Sequence, residues 1–161
     1  MKMTFYTLGV YGTTEADFFR KLLDNRIDVF CDIRARRAVR GADYAFANAV
    51  RLEAKLGKLK IAYVPVKDLA TPSDIKKLQN QVDAKASVSQ RQRDHLSPVF
   101  TAAYTKEVLE PFDFNKLVQQ LQDLQAKRVA LFCVEKFPAA CHRSLVAERL
   151  HALYGYSIVD L

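Results

Sequence analysis

Glu135, Cys141, His142 and Arg143 bring a carboxyl, a thiol, an imidazole and a guanidinium into one short stretch of chain. Cys141 falls where an amphipathic run begins, with Val146, Leu150 and Leu153 on one face. A helix starting there aims unpaired backbone N–H groups and the positive end of its dipole at the thiol, and His142 and Arg143 add donors beside it. These conditions favour thiolate over thiol. Cys141 is therefore a candidate nucleophile, with His142 and Glu135 as candidate acid–base partners. Arg143 has a second use, because a guanidinium near the donors of the 138–142 loop can hold phosphate or carboxylate. A packing reading stays open beside this one: Cys141 as a small residue under the turn, His142 and Arg143 as partners for carbonyls.

The elements around these residues place them at one edge. Residues 129–134 read as a buried strand and the segment opening near 142 as a helix, so the group sits at a strand's carboxyl end, where open α/β sheets hold ligands. Residues 3–8 read as a first strand ended by Gly9 and Gly12, followed by a helix to about 25 that Thr13 or Thr14 can cap. Residues 27–33 form a second strand ending in Asp32-Ile33-Arg34, then a basic loop with Arg36, Arg37 and Arg40. A helix over 42–56 stopped by Gly57, a third strand over 61–64, a helix over 112–126 and a last strand over 157–161 complete the pattern. The fold class is α/β: a single doubly wound, mostly parallel sheet with helices on both faces. A long polar and helical insertion lies around 69–104, with helices expected near 73–82 and 98–110. In a parallel sheet Arg34, Tyr11 and Thr13 converge on the edge that carries Glu135, as candidate ligand contacts. The Glu135 carboxylate is expected to pair with Arg34, Arg143 or His142, which would lower its pKa.

The chain has 161 residues and reads as one domain, 1–161, able to bury a core without a metal or disulfide. Neither a signal peptide nor a membrane span is evident. Three cysteines with no Cys-x-x-Cys pair suit free thiols in a reducing compartment, so the expected location is the cytoplasm. Twenty-five Lys and Arg against 18 Asp and Glu give a net charge of +7, which favours a phosphate-bearing small molecule or a nucleic acid as partner. No membrane partner and no particular cofactor is indicated.

Two literal motifs carry less than they suggest. Cys31 to Arg37 matches Cys-x5-Arg, a phosphatase signature, but lacks the permissive glycines and begins inside a strand pattern. Cys133, Cys141 and His142, with Glu135 or Cys31, lack the short paired spacings of structural zinc, so no metal site is expected. Lys85, Arg91, Arg93 and His95 make the long connection basic, and a solvated loop accounts for them.

The chain resembles domain-of-unknown-function family 488 over nearly its whole length. The landmarks are Thr7-Leu8-Gly9-Val10-Tyr11, Cys31-Asp32-Ile33-Arg34, Phe46, Ile61-Ala62-Tyr63-Val64, Cys133-Val134-Glu135 and Cys141-His142-Arg143-Ser144-Leu145. The resemblance implies a compact α/β fold and a site at Arg34, Glu135, Cys141, His142 and Arg143, without implying an activity. Two segments depart from it. Lys67-Asp68-Leu69-Ala70 stands where many members show a Gly-Gly-Arg-like stretch, and 35–42 has no proline. Two functions follow: an enzyme or enzyme-like protein holding an anionic ligand, or a non-catalytic nucleic-acid-binding module using the 34–40 loop and the 85–95 segment.

Overall fold

Alternation of side chains along short apolar strands determines which residues face each side of the sheet. In the computed structural model, which describes residues 2–161, the strands are β1 (Thr4–Leu8), β2 (Val29–Asp32), β3 (Ala62–Pro65), β4 (Arg128–Phe132) and β5 (Ser157–Asp160). They form one sheet in the order β3-β2-β4-β1-β5, with every pairing parallel. Central β4 is buried along 129–132 and feeds two cores: Val129 and Leu131 enter one, Ala130 and Phe132 the other. A strand buried on both faces reads as a continuous apolar run, as Val129 to Phe132 does. At the edge, β3 ends in Pro65, whose missing N–H is tolerated there.

Helices cover both faces. Helices α1 (Glu15–Asp24) and α2 (Ala49–Lys58) bring Phe18, Leu22, Leu52 and Leu56 to one core. Helices α3 (Ser73–Lys85), α4 (Pro98–Tyr104), α5 (Phe114–Asp123) and α6 (His142–Tyr154) bring Ile75, Phe100, Leu117 and Val146 to the other. Thr14 caps α1 by accepting from the Asp17 N–H at 3.1 Å, and Asp113 caps α5 by accepting from Lys116 N–H at 3.0 Å.

The helix expected over 42–56 is divided and runs past its expected stop. A 3-10 turn spans Ala42–Ala47, Asn48 is extended, and α2 begins at Ala49. The Asn48 side chain accepts from the Val39 N–H at 2.8 Å, so it serves the preceding loop rather than a continuous helix. Gly57 lies inside α2; the chain turns at Lys60, with φ of 59°, because an interior glycine weakens a helix by about 1 kcal/mol without ending it. The insertion carries α3 and α4, and α4 continues into a π turn, Thr105–Leu109.

After β1 and β2 the chain leaves toward the α1 and α2 face; after β3 and β4 it leaves toward the other. Since β4 lies between β2 and β1, the loops beside its carboxyl end diverge and open a crevice. Among the described residues no helix is long and apolar enough to cross a membrane.

Candidate functional site

At this crevice lies a cavity of about 630 Å³ lined by the loops after β1, β2 and β4, by α3 and by the 89–96 segment. Tyr11, Arg34, Glu135, Cys141 and His142, expected together, all line it. The expected contacts Thr13 and Arg143 are not among the lining residues.

Cys141 is the N-cap of α6 and is 1% exposed. Its Sγ lies 3.8 Å from His142 Nδ1. The other ring nitrogen of His142, Nε2, is 3.0 Å from the Ile33 carbonyl, which makes Nε2 the N–H that donates and turns Nδ1 toward the sulfur. Burial alone pushes the Cys141 thiol up, but a hydrogen bond with Cys133 and the positive charge of His142 hold it well below the ordinary thiol range. For His142, burial opposes charge, yet the facing Cys141 raises its pKa overall. Both shifts run in the direction of a thiolate–imidazolium pair. Cys133, by contrast, is raised by its hydrogen bond with Cys141 and by burial. Cys31 is wholly buried inside β2, its thiol pushed up to about 12 by burial and Asp32, so Cys31 to Arg37 is no phosphate loop.

Glu135 finds different partners from those expected. Gln90 Nε2 donates to its Oε1 at 2.8 Å and Arg93 NH2 at 3.2 Å, while Oε2 is buried without a partner among the described residues. Burial first, then Cys141, raises its pKa despite the hydrogen bond from Gln90. The expected lowering is thus reversed: one oxygen stays desolvated. Arg93 was missed. Its guanidinium is 9% exposed, pairs with Asp83 at 2.8 Å and donates to the Ala140 carbonyl, so this part of the connection is not a solvated loop. No spacing in the sequence signals a contact between positions 93 and 135; the only hint is a cation in a segment too long to be an idle connection.

Arg34 is 2% exposed and makes a paired contact with Asp32, Nε to Oδ1 at 2.9 Å and NH2 to Oδ2 at 2.7 Å. Its NH1 donates to Ala47 O, and its guanidinium lies over the Phe132 ring, so it gives the cavity a positive edge more than a free fork. Arg91 lies over the Tyr11 and Tyr44 rings, 4.8 and 5.5 Å from their centroids. Thr13 bonds the neighbouring Thr14 carbonyl.

Arg143 turns inward rather than toward an anion. Fully buried, it donates from NH1 to the Glu135 carbonyl at 2.7 Å and from NH2 to Lys136 O at 3.3 Å. These carbonyls belong to the turn that must come back across β1, and a charged donor is a strong tie for them. Gly9 completes the arrangement: a Cβ there would stand 2.0 Å from the Glu135 carbonyl oxygen. Gly9→Ala is expected to cost about 1–3 kcal/mol through overpacking, read as a lower denaturant midpoint. An unchanged midpoint would mean the turn can move aside freely.

The fold and site define an α/β domain whose candidate chemistry sits at a switch point of a parallel sheet, around a cysteine, a histidine and a glutamate. A family model described as "Domain of unknown function DUF488" matches residues 15–150, and the chain belongs to that family. No curated protein and no solved structure matches it.

Proposed function

We propose that this protein is an enzyme that holds an anionic, phosphate-bearing ligand in the cavity beside β4 and acts on it with Cys141, His142 and Glu135. One observation carries the reading: a thiol–imidazole pair and a desolvated carboxyl at the buried end of a cavity also lined by Arg34, Arg36, Arg40, Lys76, Arg91 and Arg93. Cations around a cleft concentrate anions, and the guanidinium groups of Arg36 and Arg40, which make no ion pair among the described residues, offer forks that match phosphate oxygens. The volume suits a small molecule. Cys141 supplies an electron pair, His142 steadies the thiolate, and Glu135, raised by burial, exchanges a proton nearer neutral pH than an ordinary carboxyl does. Free thiols suit a reducing compartment, and we place the protein in the cytoplasm.

The test is protection. Inorganic phosphate and nucleoside phosphates are screened for stabilisation, about 2.7 kcal/mol at a hundredfold excess over Kd, and for slowing of Cys141 alkylation by iodoacetamide. A ligand that does both occupies the cavity. Stabilisation without protection, or no stabilisation by any phosphate compound, would overturn the reading.

Without ligand, in reducing and chelating buffer, Cys141 is expected to be alkylated first of the three thiols. Its lowered pKa leaves more of it as thiolate near neutral pH, so its rate should rise less from about pH 7 to 9 than that of an ordinary thiol of pKa about 8.5. Mass spectrometry of the tryptic peptides follows each cysteine. A rate at Cys141 that climbs like a free thiol's would remove the ion pair.

A nucleic-acid strand is a second reading, favoured because the two basic segments meet: Arg91 NH2 donates to the Arg40 carbonyl at 3.4 Å. A strand held by several phosphates loses affinity steeply with salt, whereas a single pocket ligand loses little.

A further inference from the structure

Beyond its hydrogen bond with Cys141, Cys133 takes no part in the chemistry above, yet it stands within the same group. Cys133 Sγ, Cys141 Sγ and a ring nitrogen of His142 all lie within 4.8 Å of one another, and all three residues are buried. Two sulfurs and an imidazole nitrogen form the donor set of a soft or borderline divalent cation.

The spacing is near what such an ion needs. Bond lengths of about 2.3 Å to sulfur and 2.0–2.1 Å to nitrogen give a tetrahedral edge of about 3.5 Å. The Cys141 Sγ to His142 Nδ1 distance is 3.8 Å. The imidazole is oriented for the same purpose. With Nε2–H donating to the Ile33 carbonyl, the Nδ1 lone pair is directed to the sulfurs, and ligating histidines are held by such a bond on their other nitrogen. An independent observation comes from Glu135, whose side chain is 7% exposed and lines the same cavity, and whose Oε2 has no partner among the described residues.

We propose that Cys133, Cys141 and His142 bind one zinc-class divalent cation through their two Sγ atoms and Nδ1, leaving its fourth position open to the cavity beside Glu135. Three protein ligands with one open position are the pattern of catalytic zinc rather than structural zinc. A bound zinc-class ion would supply an acidified water at that position, and Glu135 beside it would accept the proton released. The inference rests on the preceding reading only in placing the reaction at this group; with metal bound, Cys141 would serve as a ligand and the activated water, not the thiolate, would be the nucleophile.

The probe is the metal alone. Protein stripped with chelator and fully reduced is titrated with cobalt(II), then with zinc. One equivalent of cobalt is expected to produce the intense absorption of cobalt–thiolate bonds and the visible bands of a four-coordinate site, which zinc then abolishes. Cys133→Ser, Cys141→Ser and His142→Gln should each weaken binding by at least the 10–100-fold that loss of a mere supporting contact costs a metal site. Cys31→Ser should leave it unchanged. Because a buried substitution can unfold the protein, X-ray absorption of the zinc-loaded wild type gives a second measure, with two sulfurs and a nitrogen or oxygen shell expected. Bound zinc should also slow alkylation of both Cys133 and Cys141.

No thiolate band while all three thiols titrate as reduced would overturn the site, as would a sulfur count other than two. That result leaves phosphate protection of Cys141 untouched. Conversely, metal binding without protection by any phosphate compound would remove the anionic ligand and keep the metal.

Discussion

Arg93→Ala is expected to lower the unfolding free energy by about 3–5 kcal/mol, the usual loss when one partner of a buried ion pair is removed. Arg93 lies between Asp83 and Glu135, whose side chains are 10% and 7% exposed. Removing it leaves two carboxylates desolvated with, among the described residues, only Gln79 and Gln90 as side-chain hydrogen-bonding partners, and it frees the Ala140 carbonyl. Arg93→Lys should restore part of the loss, since an ammonium supplies the charge but cannot reach three acceptors in a fixed fork. The pH dependence has a definite sign. Burial already raises the Glu135 carboxyl, and removal of the Arg93 cation moves it further above its unfolded value near 4, so the folded variant binds that proton more tightly than the unfolded chain does. Its deficit should therefore shrink as pH falls toward 4 and grow as pH rises through the raised value of Glu135. Urea unfolding at several pH values measures both effects. A loss under about 1 kcal/mol, typical of exposed pairs, would mean the 89–96 segment does not close over Glu135.

Arg143→Ala should lower stability by about 3 kcal/mol, at the upper end for charged hydrogen bonds, rather than chiefly weaken an anion. The guanidinium is wholly buried, and its bonds to Glu135 O and Lys136 O hold the turn that Gly9 approaches. Its Nε has no partner among the described residues, which reduces what the buried cation contributes and keeps the expected loss from being larger. Arg143→Met separates volume from donors: it fills much of the space and should still lose most of the stability. Measured beside unfolding, phosphate protection of Cys141 distinguishes the roles. Full stability with weakened protection would restore Arg143 as a ligand contact.

Local pattern was enough to read most of the elements in the sequence. The unbroken apolar run before Cys133 and the face of Val146 and Leu150 define a buried strand and a covering helix because side-chain period reports burial directly. Strands separated by helices then require parallel crossovers, and the carboxyl edge of β4 follows as the place where Arg34, Tyr11, Glu135, Cys141 and His142 meet. Boundaries such as Gly57 and Asn48 depended on competing hydrogen bonds that propensity does not record.

What the tertiary structure alone decided is the set of partners inside that edge. Glu135 is paired by Gln90 and Arg93 because α3 and α4 bring the connection between them back over the crevice, and a charge pattern cannot report that return. Period assigns a face, not a direction within it, so Arg143 could as well have faced an anion as the carbonyls of its own turn. Cys133 joins Cys141 because a strand end and a helix start are neighbours across a tight turn, a closeness that spacing in the chain conceals.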